Sequence, residues 1–414
     1  MLRQRQYLLL FAGTTLAMLA FGMMQVAQGV VAFDLTGKNG SVGFVFLGQG
    51  ISMLLLSPVG GTLSDRVSKK KLLTSAQFVI GLMFALIATL IATGVITILM
   101  LAGASLVLGC MYSMMGPTRQ AWIGDLLEGE DLPKGVALQQ LSMNTTRIVG
   151  PLIAGFLVGW SFCGTSGTYA VMAVIFGGVV ITLLQMDASP PRVRANRTSV
   201  RADLSEGFNY IWHDKDVRLL ACVFCGVVLA GFSYQTIMPG YLENTLGHPA
   251  SQLGVIYGAT AIGGIIVTLF LASRRVENGP AVMLFFGACM AASLALLAIA
   301  PGFWAALGVA ALVGASSSGF QMLNNVNLME RADPKYFGRV MSVTMMAFGF
   351  NSIISYPVGL IADQSGERAT LGGLGVATMS VVLLGMIALR SRTREVAAAR
   401  AAALQDQPLG APGR

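Results

Sequence analysis

Arg147 is the residue best placed to do chemistry in this chain, because it falls about twelve residues into an apolar run from Val136 to Trp160. A guanidinium near mid-bilayer costs about 2.5–3.5 kcal/mol on insertion scales, so it should face a cavity or a partner. No Asp or Glu lies well inside any apolar run, which leaves a buried ion pair without a candidate. An anionic solute, backbone carbonyls or water could each satisfy it. Asn144 stands one turn earlier on the same face. Other polar side chains sit within apolar runs: Gln25 and Gln28 in the first, Tyr112 in the fourth, Tyr234 and Gln235 in the seventh, and Tyr257 in the eighth. Gln321, Asn324 and Asn325 lie in the tenth, and Asn351 in the eleventh. Gln25 and Gln28 are i, i+3, and the tenth-run set is i, i+3, i+4, so each group lines one helix face. Together they suit a polar cavity that holds an amphipathic solute by hydrogen bonds. Singly, each could as well bond one helix to another.

Other chemistries lack their residues. An enzyme within a bilayer needs a nucleophile with its base, a metal cluster or paired carboxylates. None is visible, and His213 and His248 both lie outside the runs. Cys222 and Cys225 have CxxC spacing, but no second pair or neighbouring His supports a metal, so the five cysteines read as small buried side chains. No cofactor is expected. A channel would need a pore-lining ring or filter repeat, also absent. The net charge of +8 forms no stripe for nucleic acid, because the Lys and Arg fall in alternate connections between apolar runs.

These groups must be positioned by membrane-spanning helices. The chain is 55% hydrophobic and 11% charged, and its apolar residues come in blocks long enough to cross a bilayer. Twelve runs are expected, near 8–33, 42–63, 72–93, 96–115, 136–160 and 169–186, then 219–239, 253–271, 281–300, 303–323, 340–362 and 371–389. With the N-terminus inside, 24 of the 27 basic residues fall on the cytoplasmic side and only Lys38 and Arg368 on the other, with Arg147 left inside a span. That alternation supports the count. The first run is too long for a cleaved secretory segment and is expected to be retained. The organisation expected is a six-helix bundle at 1–186, a cytoplasmic linker at 187–218, a second six-helix bundle at 219–390 and a disordered tail at 391–414. In the linker Leu204, Phe208, Ile211 and Trp212 recur at helical spacing, which predicts an amphipathic helix at the inner membrane surface. It reads as a tether between halves rather than a regulatory site.

The second and third runs meet at Pro58-Val59-Gly60-Gly61-Thr62-Leu63-Ser64-Asp65-Arg66-Val67-Ser68-Lys69-Lys70-Lys71. The pattern Gly-x-Leu-x-Asp-Arg-x-x-Lys-Lys resembles the signature of the loop between helices 2 and 3 in the major facilitator superfamily, with Ser68 where that pattern usually has glycine. With the six-plus-six runs and the linker, the resemblance covers nearly the whole chain. Asp34-Leu35-Thr36-Gly37, Gly116-Pro117-Thr118-Arg119-Gln120-Ala121 and Arg147-Ile148-Val149-Gly150-Pro151-Leu152-Ile153-Ala154-Gly155 are similar to the branch of bacterial exporters that includes enterobactin and macrolide efflux proteins.

The resemblance implies an all-α integral membrane protein with two pseudo-symmetric six-helix bundles rocking around a central cavity. It implies a secondary active transporter, not an enzyme, that expels an organic solute, drug-like or siderophore, in exchange for protons. Uptake, or lipid transfer between leaflets, remains open in the same fold. An inner gate is implied at Gly61, Asp65, Arg66, Lys69 and Lys70, where Asp65 meets a helix N-terminus or Arg119 when the cavity faces outward. A carboxylate at a helix N-terminus gains about 0.3–1 kcal/mol. The plainer alternative is that these are solvated charges serving topology, and Lys69, Lys70 and Lys71 read best that way. Asp34 is the best-placed carboxylate for proton coupling, with Glu243 and Asp363 behind it. The chain is expected to act as a monomer in the bacterial inner membrane, surrounded by lipid, with both termini cytoplasmic.

Two local features remain. Gly150, Pro151 and Gly155 in the fifth run, and Gly254 and Gly258 in the eighth, supply small faces for close helix contact, and Pro151 should kink its helix. Pro58 to Asp65 also reads like Pro357-Val358-Gly359-Leu360-Ile361-Ala362-Asp363, a weak internal repeat of the kind transporters carry.

Overall fold

A computed structural model describes residues 5–127, 131–187, 200–274, 276–333 and 336–405. Every regular element among them is helical, as expected where lipid offers no partner to backbone N–H and C=O groups. The helices before the linker are α1 (Arg5–Asp34), α2 (Asn39–Arg66), α3 (Lys69–Ala92), α4 (Ile98–Leu126), α5 (Asp131–Gly159) and α6 (Gly164–Leu184). Then come α7 (Val200–His213), α8 (Lys215–Gly231), α9 (Tyr234–Gly240), α10 (Leu253–Ala272), α11 (Gly279–Ile299), α12 (Phe303–Arg331), α13 (Phe337–Ser365) and α14 (Glu367–Gln405). Among the described residues, ten helical stretches are long and apolar enough to cross a membrane, α8 and α9 counting as one. The other two runs expected to span fall in α5 and α13, each 29 residues long.

Side chains set the boundaries. Thr97 accepts from Met100 N at 3.3 Å to start α4, and Asp214 accepts from Asp216 N and Val217 N at 2.9 and 3.0 Å to start α8, so orphan amides at both starts are satisfied. Gly366, at φ 83°, turns the chain between α13 and α14 in a conformation that side chains with a Cβ resist.

Four local features depart from the sequence expectation or sharpen it. The seventh run is not one rod: α8 breaks at Phe232–Ser233, and α9 carries Pro239. Pro239 has no N–H for the carbonyl four residues earlier, and that carbonyl, on Gln235, instead accepts from Tyr257 Oη at 3.4 Å. The linker helix α7 docks on the chain: Tyr210 stacks on Tyr336 with ring centroids 4.6 Å apart, and its Oη accepts from Asp333 N at 2.9 Å. Its apolar face is therefore divided. Ile211 is buried, while Phe208 and Trp212 stack on one another outside, 57% and 56% exposed. Finally, α14 continues to Gln405, past the point where a disordered tail was expected, because Glu395 to Gln405 is rich in alanine, the strongest helix former.

α1 packs on α5 and α6, α3 on α4 and α6, and α2 on α4, while α11 packs on α12 and α14, α10 on α12 and α8 on α14. Two extensive pairs join helices before α7 to helices after it, α2 with α13 and α5 with α10, and α9 adds smaller contacts with α1 and α2. The bundle has a basic end, where α2 meets α3 at Arg66–Lys71, and a sparse end, where α1 meets α2 and α13 meets α14. Near the sparse end one apolar core runs through both groups, from Phe33 and Val42 to Tyr241, Leu253, Leu297 and Val358. Toward the basic end the later helices close on a core of their own, around Phe224, Met283, Phe320 and Val340. The molecule is thus joined at the sparse end.

Glycines make that junction close. A Cβ on Gly155 would overlap the backbone of Gly254, and one on Gly43 the backbone of Ser355 and Tyr356. Gly155→Val should therefore cost about 1–3 kcal/mol by overpacking, measured as a lower Tm in detergent. Gly103→Ala, with nothing within 4 Å of the added carbon, should leave Tm unchanged or slightly raised.

Candidate functional site

Arg147 lies near the midpoint of α5, yet its side chain is exposed. Its guanidinium reaches across to helices beyond α7: Nη1 donates to Gln321 Oε1 on α12 at 2.7 Å, and the guanidinium carbon stands 5.7 Å from the Phe348 ring centroid on α13. Neither partner carries charge. Its electrostatic neighbour Tyr234 is buried on α9. A guanidinium fork with donors to spare and an aromatic ring beside it suits an anion attached to an organic body.

The polar set on α12 is unevenly satisfied. Among the described residues, Gln321 Nε2, both amide atoms of Asn324 and Asn325 Oδ1 are buried without a hydrogen-bond partner, as is Tyr112 Oη on α4. Tyr112 meets Phe21 edge-on at 4.6 Å. Buried polar groups left unpaired cost free energy, so these atoms are open to a ligand or to water.

The remaining expected cavity residues separate. Gln28 donates to Ser105 Oγ and joins α1 to α4. Asn351 accepts from Ser233 Oγ at 2.9 Å and joins α13 to the break after α8. Tyr257 is taken up by the Gln235 carbonyl, whose own side chain is exposed, and Gln25 is half-buried. The side chain of Asn144 lies outside the described residues. Gly150 and Pro151 pack on Gly22 of α1, and Gly258 on Leu152.

At the basic end, the side chains of Asp65 and Arg66 and the surroundings of Gly61 lie outside the described residues. Lys69 corrects a sequence expectation: it is no solvated loop charge but is 7% exposed and forms a salt bridge with Asp125 at the end of α4. The cause is the short α2–α3 connection, which pulls the first turn of α3 against α4. Lys70 donates to Leu184 O at 2.9 Å, the last carbonyl of α6, and to Met186 O just beyond it. Arg119 is 5% exposed, with neither Nη hydrogen-bonded to a described residue. At the sparse end Asp34 is exposed, with Glu243 as its electrostatic neighbour. Sequence reasoning missed Phe348, because an aromatic residue in an apolar run carries no mark, and Asp125, although a carboxylate at the same end of the bundle as the lysines after α2 was a usable signal.

A helical membrane bundle with polar side chains from several helices turned toward one another, and a lone cation near the middle of one of them, is the construction of a transporter rather than an enzyme. The family model of the Major Facilitator Superfamily matches residues 10–356, and the chain belongs to that superfamily. It is 23% identical over 362 residues to the staphyloferrin A transporter of Staphylococcus aureus, covering 86% of this chain and 90% of that one. It is also 23% identical over 398 residues to the enterobactin exporter EntS of Escherichia coli, covering 93% and 92%. The crystal structure of an aspartate-to-alanine mutant of the nucleoside transporter NupG superposes with a TM-score of 0.75 at 14% identity, over 92% of this chain and 99% of that one, a likeness of fold.

Removing one partner of a buried ion pair leaves an uncompensated charge. Lys69→Met should cost about 3 kcal/mol, read as a lower Tm, and adding Asp125→Leu should recover part of that loss in a double-mutant cycle.

Proposed function

We propose that this protein is a proton-driven exporter that carries an organic solute bearing an anionic group out of the cell by alternating access. The observation that carries the reading is Arg147, which crosses from α5 to α12 and α13 with no carboxylate beside it among the described residues. The cost of holding that charge in a bundle is offset when a bound anion replaces the missing partner. The similarity to a staphyloferrin A transporter and an enterobactin exporter supports a siderophore-like solute, and the similarity to a multidrug resistance protein supports a drug-like solute as the second reading.

In this reading the basic end faces the cytoplasm, since Lys and Arg concentrate there, and both termini lie on that side of the plasma membrane. Twelve spans form two six-helix bundles, 1–186 and 219–390, joined by the 187–218 linker, and one chain is the working unit. Asp34, with Glu243 nearby, takes the coupling proton at the sparse end. Asp65, Arg66 and Arg119 close the basic end when the cavity turns outward.

Inverted vesicles with an imposed proton gradient test the proposal against catecholate siderophores, macrolides and cationic dyes. Gradient-dependent accumulation of the anionic solutes is expected, with Arg147→Ala reducing it at least tenfold, Arg147→Lys less, and Asp34→Asn uncoupling it from the gradient. Failure of folded protein to accumulate any solute on the panel would overturn export and favour uptake or lipid transfer.

A further inference from the structure

At the sparse end, α2 begins without a side chain of its own to satisfy its first amides, because Lys38 precedes it. The missing acceptor comes from 323 residues away. Asp363, in the last turn of α13, accepts from Gly40 N through Oδ2 at 2.8 Å and from Asn39 N through Oδ1 at 2.7 Å. A carboxylate bridging two orphan N–H groups at a helix start is favourably placed both as acceptor and as charge.

A second carboxylate ties the same corner. Glu367, buried at the start of α14, accepts from Asn39 Nδ2 at 3.0 Å, from Asn244 Nδ2 at 2.7 Å and, through its other oxygen, from Thr245 Oγ1 at 3.2 Å. These donors are all uncharged, and among the described residues neither carboxylate forms an ion pair. Small residues let the parts meet: a Cβ on Gly359 would press on the Asn39 backbone, and one on Gly40 would meet Asp363 Oδ2 and Leu360 at 2.9 Å.

We propose that Asp363, seconded by Glu367, is the latch that holds the sparse end closed and sets which way the cavity faces. It is a positioning residue that touches no solute. The proposal rests on the alternating-access reading and names a device that works within it. The internal repeat gives the latch its counterpart. α2 and α13 run antiparallel along one another, and each ends in the related stretch that closes on an aspartate, Pro58 to Asp65 in one and Pro357 to Asp363 in the other. Asp363 therefore does at the start of α2 what the sequence resemblance allows Asp65 to do on the opposite face, where a helix N-terminus or Arg119 is its implied partner. Engaging one latch favours release of the other, so the two aspartates oppose one another across a single helix pair.

The test reads conformation directly, so that it stands apart from whether any solute is moved. Spin labels at Phe162→Cys and Trp304→Cys, exposed sites at the sparse end on either side of the junction, report its opening in an otherwise cysteine-free full-length protein. Separately, a thiol introduced by Ser355→Cys, a 3%-exposed position against Gly43, reports access by its rate of reaction with an impermeant maleimide. Asp363→Asn loses one acceptor and its charge. It should add a longer component to the distance distribution and raise the thiol reaction rate at least tenfold, while Asp65→Asn leaves both readings at or below the parent values. Asn39→Asp, which sets a third carboxylate against Asp363 and Glu367, should open the same end, and it serves as the second variant if Asp363→Asn is not monodisperse. Unchanged distances and rates in folded Asp363→Asn or Asn39→Asp would overturn the latch, even with transport intact. Absence of solute accumulation by the parent protein in the vesicle assay, with the expected opening in Asp363→Asn, would overturn the solute reading and leave the latch standing.

Discussion

The constraint on which the rest of this structure depends is that a backbone amide in lipid has no water to bond, so each span satisfies its own N–H and C=O groups. A helix that does so has none left for its neighbours. Some polar ties between spans join side chains within the helices, as Gln28 with Ser105 and Arg147 with Gln321 do, and others fall where a helix starts, stops or is broken. Lys70 takes the last carbonyl of α6, Arg368 takes Ala298 O and Ala300 O at the end of α11, Tyr257 takes the carbonyl freed by Pro239, and Asp363 takes the first amides of α2. Each of these ties joins one helix to another at a point the backbone left open.

Two cations show how differently the bundle treats charge. Lys69 is buried beside Asp125, and such a pair gains little net stability, because desolvation offsets much of the attraction, while its rupture is costly. It fixes α3 to α4. Arg147 is given a neutral amide and a ring face in place of a carboxylate. A neutral partner leaves the cation able to exchange its contacts for a stronger anionic one, and that difference in interaction free energy is what a solute needs in order to bias a conformational equilibrium.

The fold was legible because lipid writes it coarsely: long apolar blocks and alternating basic connections mark helices whatever their packing. Arg147 was legible for the same reason, since a charge inside such a block stands out. Its partners were not, because Gln321 is one of several amides and Phe348 one of 21 phenylalanines, and only packing selects among them. Gln28 and Asn351 look in sequence like cavity residues and turn out to tie helices, as either use needs the same polar group on the same kind of face. Lys69 was misread because a basic loop signals topology without telling which of its charges folds back on a neighbouring helix. The repeated stretch ending at Asp363 was visible, but nothing local indicates that its carboxylate meets residues 39 and 40.

Closure at the sparse end combines an apolar core with contacts between small residues, and the two respond differently to opening. Where Gly43 faces Ser355 and Gly155 faces Gly254, the surfaces that meet are largely backbone and bury little side chain, so parting them loses modest apolar area. A transporter needs two states within a few kcal/mol of one another, and an interface of large interlocked side chains would hold one state too firmly. Small faces lessen the packing lost on opening, and the directional bonds at the start of α2 act beside the apolar core in holding the end closed. The glycines and the aspartate are then two parts of one arrangement, the first lessening what opening costs and the second helping to hold the end closed.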